Sequence, residues 1–526
     1  MASLKYFSGQ LARQAKNSGG ISTVSLQRGV ETVAEVTDIK PYSEMPGPCP
    51  IPVLGNTWRF IPIIGDYKIS EVDKVSRRLH EEYGDVVRLG GLLNRPDMVF
   101  LYDADEIERI FRQEERMPHR PHMPSLHRYK HQLRRDVFGD DKAGLIAVHG
   151  EAWYNFRSQV QQVMLQPRTA RMYIGSIEQA SRDFVRRIDK IKNEQNEVPG
   201  NFMSEIHKWS LESISRVALD VRLGCLDEGK DPPAETQALI EAVLTFFKHV
   251  GPLELKIPFW KLWPTPAWKR YIGALDVILA TTSKYTREAL ERAQRCPKPE
   301  GSDDLSLLER VLRQEGDAHL ATVLAFDLFL VGIDTTSNSV GSVLYQLALH
   351  PEKQQLLHEE LNRVLPEGGG PLEPRHLDQL KYLKACVRET QRMYPVVIGN
   401  GRCTQKDTVI CGYQVPKGVH VVFQHWVISN SERYFPKASS FIPERWIGQG
   451  STEAPPARHA FASLPFGYGR RMCIGRRFAE LEILILLSKI FQNYKVEYHH
   501  EKLNYYIDPM YTPKGPLKFT FVPKND

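Results

Sequence analysis

From about residue 150 to residue 395, apolar side chains recur every three or four positions, the spacing that lines one face of a helix. One apolar run, 319–350, is far longer than its neighbours and stops at Pro351, whose ring and missing N–H cannot continue a helix. It predicts a helix that crosses the whole molecule. Ahead of this region, alternating runs at 85–89 and 98–101 predict a small sheet. Segment 409–423, punctuated by Gly412 and Gly418, alternates and turns like a hairpin. A coil rich in proline and aromatic residues then leads to Cys473 and a final apolar helix. The run Pro46-Gly47-Pro48-Cys49-Pro50-Ile51-Pro52 suits neither a helix nor a central strand, and reads as a stiff lead-in to the folded body. The pattern as a whole predicts a mainly α chain with a small β-rich lobe.

Composition sharpens this picture. At 526 residues the chain exceeds the usual single-domain size, yet no low-complexity linker divides it, so it reads as a leader, 1–40, followed by one large unit, 41–526. Hydrophobic residues at 42% and charged residues at 25% exclude a disordered or collagenous chain. The seven cysteines are scattered without a CxxC pair, which fits a reducing compartment. Cys49, Cys225, Cys296, Cys386, Cys403 and Cys411 are expected to be small buried apolar residues. Of the net charge of +6, Lys5, Arg13, Lys16 and Arg28 supply +4 within the first thirty residues, where no acid occurs. On a helix, Leu4, Phe7 and Leu11 share a face opposite Lys5, Arg13 and Lys16. This serine-rich, basic, acid-free leader has the composition of a mitochondrial transit peptide; the alternative is a plain disordered tail. It contains neither the apolar core of a secretory signal nor the ~18 consecutive apolar residues of a membrane anchor. The chain carries no dinucleotide or phosphate-loop glycine fingerprint, so bound nicotinamide or ATP is not expected and electrons must come from elsewhere. No nucleic-acid partner is expected.

The segment Phe466-Gly467-Tyr468-Gly469-Arg470-Arg471-Met472-Cys473-Ile474-Gly475 sets three glycines around one cysteine, just before a helix predicted to begin near Arg476. A helix N-terminus flanked by Arg470, Arg471, Arg476 and Arg477 should lower the thiol pKa and favour a thiolate, hence a ligating or reactive role; packing and nucleophilic roles are the alternatives. Within the long apolar run, Val331-Gly332-Ile333-Asp334-Thr335-Thr336-Ser337 gathers helix-disfavoured residues, which mark either a structural kink or a functional site. Glu389 and Arg392 lie three apart on a helical face, and Trp153 and Arg157 four apart; taken alone, such residues are ordinary surface or core positions.

Phe466, Gly469, Arg471, Cys473 and Gly475 match every fixed position of the haem-binding loop of the cytochrome P450 family, and the chain from Pro46 onward resembles that family. The resemblance implies the predominantly helical P450 fold, one haem b, and Cys473 as the axial thiolate ligand of the iron. It implies further that Trp153, Arg157, Arg402, Phe466 and Arg471 bind the cofactor, the arginines at its propionates, and that Glu389, Arg392 and Arg445 form a buried triad bracing the loop. Gly332, Asp334, Thr335 and Thr336 fit the family's oxygen-groove motif, with Asp334 and Thr335 as the acid and alcohol of a proton relay. Val331 departs from the Ala or Gly usual at the first position. Lys384, Arg388, Arg476 and Arg477 resemble the docking residues of the mitochondrial branch, most like its arthropod members. That branch takes electrons from a two-iron, two-sulfur ferredoxin of the adrenodoxin type and its NADPH-dependent reductase. The implied activity is insertion of one oxygen atom into an apolar substrate, a steroid hormone or a foreign compound. A haem-thiolate isomerase or dehydratase, or a haem sensor without turnover, are the alternatives. Phe259-Trp260-Lys261-Leu262-Trp263 with Trp268-Lys269-Arg270 mixes tryptophan and cations as interfacial segments do; core packing fits equally, and the resemblance implies peripheral contact with the matrix side of the inner membrane.

Overall fold

The long apolar run forms the helix Ala318–Leu349. Asp317 caps its start by accepting the N–H of His319 and Leu320 at 2.9 and 3.2 Å. Its far end is sharper than a simple stop, because Pro351 occupies the first turn of the next helix, Pro351–Val364, where its missing N–H costs nothing. At ~1.5 Å per residue the long helix spans ~48 Å. It packs between helices Phe202–Leu219 and Pro266–Arg295, and between residues 323 and 347 only Leu328, Val331, Gly332 and Thr335 escape full burial. Although long and apolar enough to cross a membrane, this helix is the spine of the protein's own core.

The computed structural model describes residues 39–524 apart from 122, 228–232, 300–303, 367–369, 449–455 and 508–509. The expected leader, 1–40, lies outside the described residues except for its last two positions. At Lys40 the chain already pairs in a sheet, Lys40 opposite Tyr413 and Pro41 opposite Gln414, and from there on it makes one folded unit. Among the described residues, 17 α-helices dominate and four small sheets accompany them. The main sheet orders its strands Val86–Leu89, Met98–Leu101, His420–Phe423, Asn400–Cys403. It shares one apolar cluster with the helix Ala104–Arg112, while the helical body has a second, larger cluster around the long helix.

Two expectations need correction. The hairpin predicted for 409–423 covers only its first part: Thr408–Ile410 and Tyr413–Val415 pair across a turn at Cys411 and Gly412, both at positive φ (48° and 81°). His420–Phe423 leaves for the main sheet, where it runs parallel to Met98–Leu101, because Val421 and Phe423 need a core that a two-stranded ribbon cannot supply. Of the six cysteines expected to be buried, only Cys225 and Cys386 are; Cys403 and Cys411 are half-buried, and Cys49 and Cys296 are exposed. Cys49 sits in the proline-rich lead-in and Cys296 just past a helix end, where no apolar face covers them. The tryptophan-cation segment divides in two. Trp260 and Trp268 stack at 4.5 Å inside the core, whereas Phe259, Leu262 and Trp263 are exposed.

A buried ion pair fastens the loop 143–147 to the long helix. Lys130, fully buried on the π-helical turn Tyr129–Leu133, donates to Asp327 at 2.7 Å and to the carbonyls of Ala143 and Ile146 at 2.8 and 3.2 Å. Asp327 in turn accepts the N–H of Leu145 at 2.6 Å. Gly144, at φ +94°, has no room for a side chain, since a Cβ would lie 2.4 Å from the Asp327 carboxylate. Replacing Lys130 by Met strands a buried carboxylate and should cost ~3–5 kcal/mol in denaturant unfolding. A loss below ~1 kcal/mol would mean that the backbone amides alone hold Asp327.

Candidate functional site

Cys473 lies two residues before Gly475, the N-cap of the helix Arg476–Asn493. The loop that carries it turns through Gly467 and Gly469 at φ +70° and +74°; at Gly469 a Cβ would come within 2.7 Å of the Glu114 carboxylate. The Cys473 N–H donates to the Phe466 carbonyl at 2.9 Å, closing the loop. Cys473 is an exposed residue, yet burial by the surrounding protein is the largest influence on its thiol. That burial pushes the thiol pKa up, against the sequence expectation. The backbone N–H groups of Gly475 and Arg476 and the charges of Arg120 and Arg157 oppose the rise. Of the four arginines expected to favour the thiolate, Arg476 and Arg477 instead point outward to Glu480, at 2.8 and 3.8 Å. Neighbours in sequence at a helix start diverge in space, and the cations that reach the sulfur come from elsewhere in the chain.

Those cations form a cluster. Arg157, on the helix Gly150–Leu165, Arg402, on strand Asn400–Cys403, and Arg471, in the cysteine loop, are each at most 6% exposed, and Arg120 joins them by donating to the Arg471 carbonyl. Arg471 stacks on Trp153 with 3.6 Å between guanidinium and ring centre, and donates to the carbonyls of Pro118 (2.9 Å) and Val148 (3.2 and 3.1 Å). Arg402 grips Glu114 through two nitrogens, at 2.6 and 2.5 Å. Arg157 has no carboxylate partner among the described residues, and its buried Nε has no hydrogen bond. Burial, and then mutual repulsion, pushes Arg120 and Arg471 below the usual arginine range; burial does the same to Arg157 and Arg402. Four guanidiniums facing one carboxylate make a cradle of surplus positive charge, suited to a ligand with anionic groups. Arg120 was missed in the sequence, where it stands in an irregular stretch with no motif around it.

A second buried constellation ties the helix Lys381–Met393 to segment 429–446. Glu389, Arg392 and Arg445 have fully buried side chains. The Glu389 carboxylate accepts from Arg392 at 2.9 and 3.0 Å, Arg445 at 3.0 Å, the Trp446 indole at 2.8 Å and the Ile442 N–H at 3.1 Å. Arg392 also donates to the carbonyls of Ser429 and Ala438, and Arg445 to that of Pro436, so helix Lys381–Met393 is laced to segment 429–446. Trp446 is a fourth member, one that no sequence motif singled out.

On the long helix, Leu328, Val331 and Thr335 form the accessible stripe, spaced three and four apart, so the helix presents two apolar side chains and one hydroxyl to an internal surface. Thr335 donates back to the Val331 carbonyl at 2.7 Å. Asp334 is turned to the neighbouring helix, where it meets His207 at 3.1 Å. Lys384 and Arg388 lie on helix 381–393; Arg388 is exposed, and Lys384 feels the charges of Arg388, Arg171 and Asp378.

The family model for cytochrome P450 matches residues 45–521. The chain belongs to the cytochrome P450 family. Among curated relatives, it is 48% identical to "Probable cytochrome P450 49a1" of Drosophila melanogaster, over 95% of this chain and 85% of that protein. It is 49% identical to "Probable cytochrome P450 301a1, mitochondrial" of the same species, over 93% and 88%. It is 34% identical to "Cytochrome P450 CYP12A2" of Musca domestica, over 97% and 95%. These likenesses make it a P450 monooxygenase of the arthropod mitochondrial kind, with a haem-iron cofactor. The residues present fit that group. Cys473 is accessible to a ligand, and Arg157, which has no carboxylate partner among the described residues, offers surplus positive charge with its neighbours.

Substituting Glu389 by Ala leaves two guanidiniums and an indole N–H buried without their acceptor. Stability should fall by ~3–5 kcal/mol, and haem per chain should drop sharply. Purified Glu389→Ala protein with a full complement of haem and a wild-type unfolding midpoint would contradict the bracing role.

Proposed function

We propose that this chain is a mitochondrial haem-thiolate monooxygenase. It takes haem b on Cys473, receives electrons from a two-iron, two-sulfur ferredoxin of the adrenodoxin type and its NADPH-dependent reductase, and oxidises an apolar substrate of steroid-like or foreign-compound character. The observation that carries this reading is the stripe on the long helix, because apolar Leu328 and Val331 followed one turn on by the Thr335 hydroxyl suit an oily substrate beside a single proton-handling group. The haem, when bound, supplies dioxygen activation. Cys473 would hold it through its sulfur, towards which the N–H groups of Gly475 and Arg476 are directed. Arg120, Arg157, Arg402 and Arg471 take its carboxylates, and Trp153 and Phe466 close the cradle. Thr335 and Asp334 would handle protons, the alcohol from the accessible stripe of the long helix and the acid from the face turned to His207. Val331 narrows this groove relative to the Ala or Gly usual in the family.

The printed name of the 301a1 relative places that protein in mitochondria, and the basic, acid-free leader of this chain supports the same address. The division into a transit leader at 1–40 and a catalytic unit from 41 follows from that reading. Lys384, Arg388, Arg476 and Arg477 offer a docking face for an acidic ferredoxin, on two helices that pack against each other. The charge of Asp378 acts on Lys384 and Glu480 pairs with Arg476, while exposed Arg388 has no ion pair among the described residues. Exposed Ile257, Phe259, Leu262 and Trp263 support peripheral contact with the matrix side of the inner membrane. Arg95, donating to the Lys256 carbonyl at 2.9 Å, fastens that loop to the β-rich lobe, where Val53, Ile63 and Ile64 are also exposed.

Thr335→Ala should keep the haem spectrum and divert electrons from product into peroxide; unchanged product per electron would count against the proton-handling role. Turnover with an acidic ferredoxin should fall as ionic strength rises over ~0.05–0.3 M, since the Debye length shrinks below the span of the charged face. Arg388→Glu should weaken ferredoxin-dependent turnover about tenfold, a difference of ~1.4 kcal/mol, without changing product per electron. A salt-independent rate that Arg388→Glu leaves untouched would move the docking face elsewhere.

A further inference from the structure

The acid and the alcohol of the long helix look in different directions. Thr335 lies on the accessible stripe, whereas the Asp334 side chain is only 10% exposed and faces helix 202–219. There it meets Nε2 of His207, itself 6% exposed, at 3.1 Å. The contact depends on a close approach of the two helices. At Gly332 a Cβ would stand 2.8 Å from the Cδ1 of Ile214, and at Gly341 it would stand 2.8 Å from the Cε of Met203. Ile214 and Met203 lie on the same helix as His207, on either side of it in sequence, so the two glycines bracket the histidine–aspartate contact. Among the described residues the other ring nitrogen of His207, Nδ1, is buried without a hydrogen-bond partner. A proton on Nδ1 would be a buried donor with no acceptor, which assigns the neutral tautomer with Nε2–H aimed at the carboxylate.

A buried carboxylic acid that gives up its proton leaves a charge that burial penalises strongly unless a donor meets it. His207 is the side-chain donor placed to do so. We propose that His207 is a positioning residue for oxygen activation, whose Nε2–H receives the Asp334 carboxylate each time Asp334 has given its proton towards Thr335. The imidazole keeps its own proton throughout; the proton that leaves the Asp334 O–H is replaced from solvent, and no electron moves in the step. This rests on the reading of Asp334 and Thr335 as the proton-handling pair. It adds that the acid works from behind the helix, on a hinge set by a second helix, and that its readiness to donate is governed by a residue outside the cleft.

The test uses the haem-loaded full chain in five forms: wild type, His207→Leu, Asp334→Asn, the double variant, and His207→Gln as the conservative rescue because its amide N–H can still donate. In His207→Leu, product per electron should fall severalfold and the solvent isotope effect on kcat should rise, with KM for substrate and the ferric spectrum unchanged. The double variant should be no worse than Asp334→Asn, and His207→Gln should recover most of the loss. A readout independent of turnover is the unfolding midpoint of the resting protein, where the two single substitutions should be non-additive, as expected of groups in contact. If Asp334→Asn uncouples the enzyme while His207→Leu only lowers the unfolding midpoint, the pair is a mere staple between helices and the proposal is overturned. Additive midpoint shifts would overturn it as well. If Asp334→Asn itself leaves product per electron and the isotope effect unchanged, the proton-handling reading falls and this proposal falls with it.

Discussion

Surplus positive charge, held inside the protein against its tendency to seek water, is the constraint around which the site is built. Arg120, Arg157, Arg402 and Arg471 come from four separate stretches of chain, yet they gather near one cysteine with a single carboxylate, Glu114, among them. Such an arrangement is costly in isolation and becomes favourable when anionic groups enter it. The scaffold therefore has to be stiff before the cofactor arrives. Stacking of Arg471 on Trp153 and its three bonds to the Pro118 and Val148 carbonyls supply part of that stiffness.

The rest comes from Glu389. A carboxylate with donors from two arginines, an indole and a backbone amide is satisfied at both oxygens, and removing any one partner leaves others stranded. This network anchors helix 381–393 to the segment that leads towards the cysteine loop, while Lys130 and Asp327 anchor loop 143–147 to the long helix. Both devices replace loop entropy with buried, fully partnered charge. The long helix is held between them with most of its side chains buried, its polar ones included, and Leu328, Val331 and Thr335 make its accessible stripe.

Much of this was legible in the sequence. The length of the central helix followed from an apolar run that only a buried helix tolerates, and its end followed from proline chemistry; the boundaries differ from the observed Ala318–Leu349 by one residue at each end. The glycine-flanked cysteine was readable because tight turns leave a compositional trace. Arg120 was not, since an arginine in an irregular stretch carries no periodicity and its importance comes only from what lies across from it. The partner strand of His420–Phe423 was equally hidden: alternation says that a strand has two faces, but not which sheet receives it.

By itself, the sequence determined most of the elements and the glycine-flanked loop of Cys473, because local spacing and backbone sterics act over a few residues. Only the tertiary structure decided which charges meet. The arginines beside Cys473 in sequence turn outward to Glu480, those that reach it come from far along the chain, and Asp334 is claimed by His207 from another helix. Electrostatic and hydrogen-bond energies depend on distance through space, and distance through space is set by how helices pack, which no local pattern records.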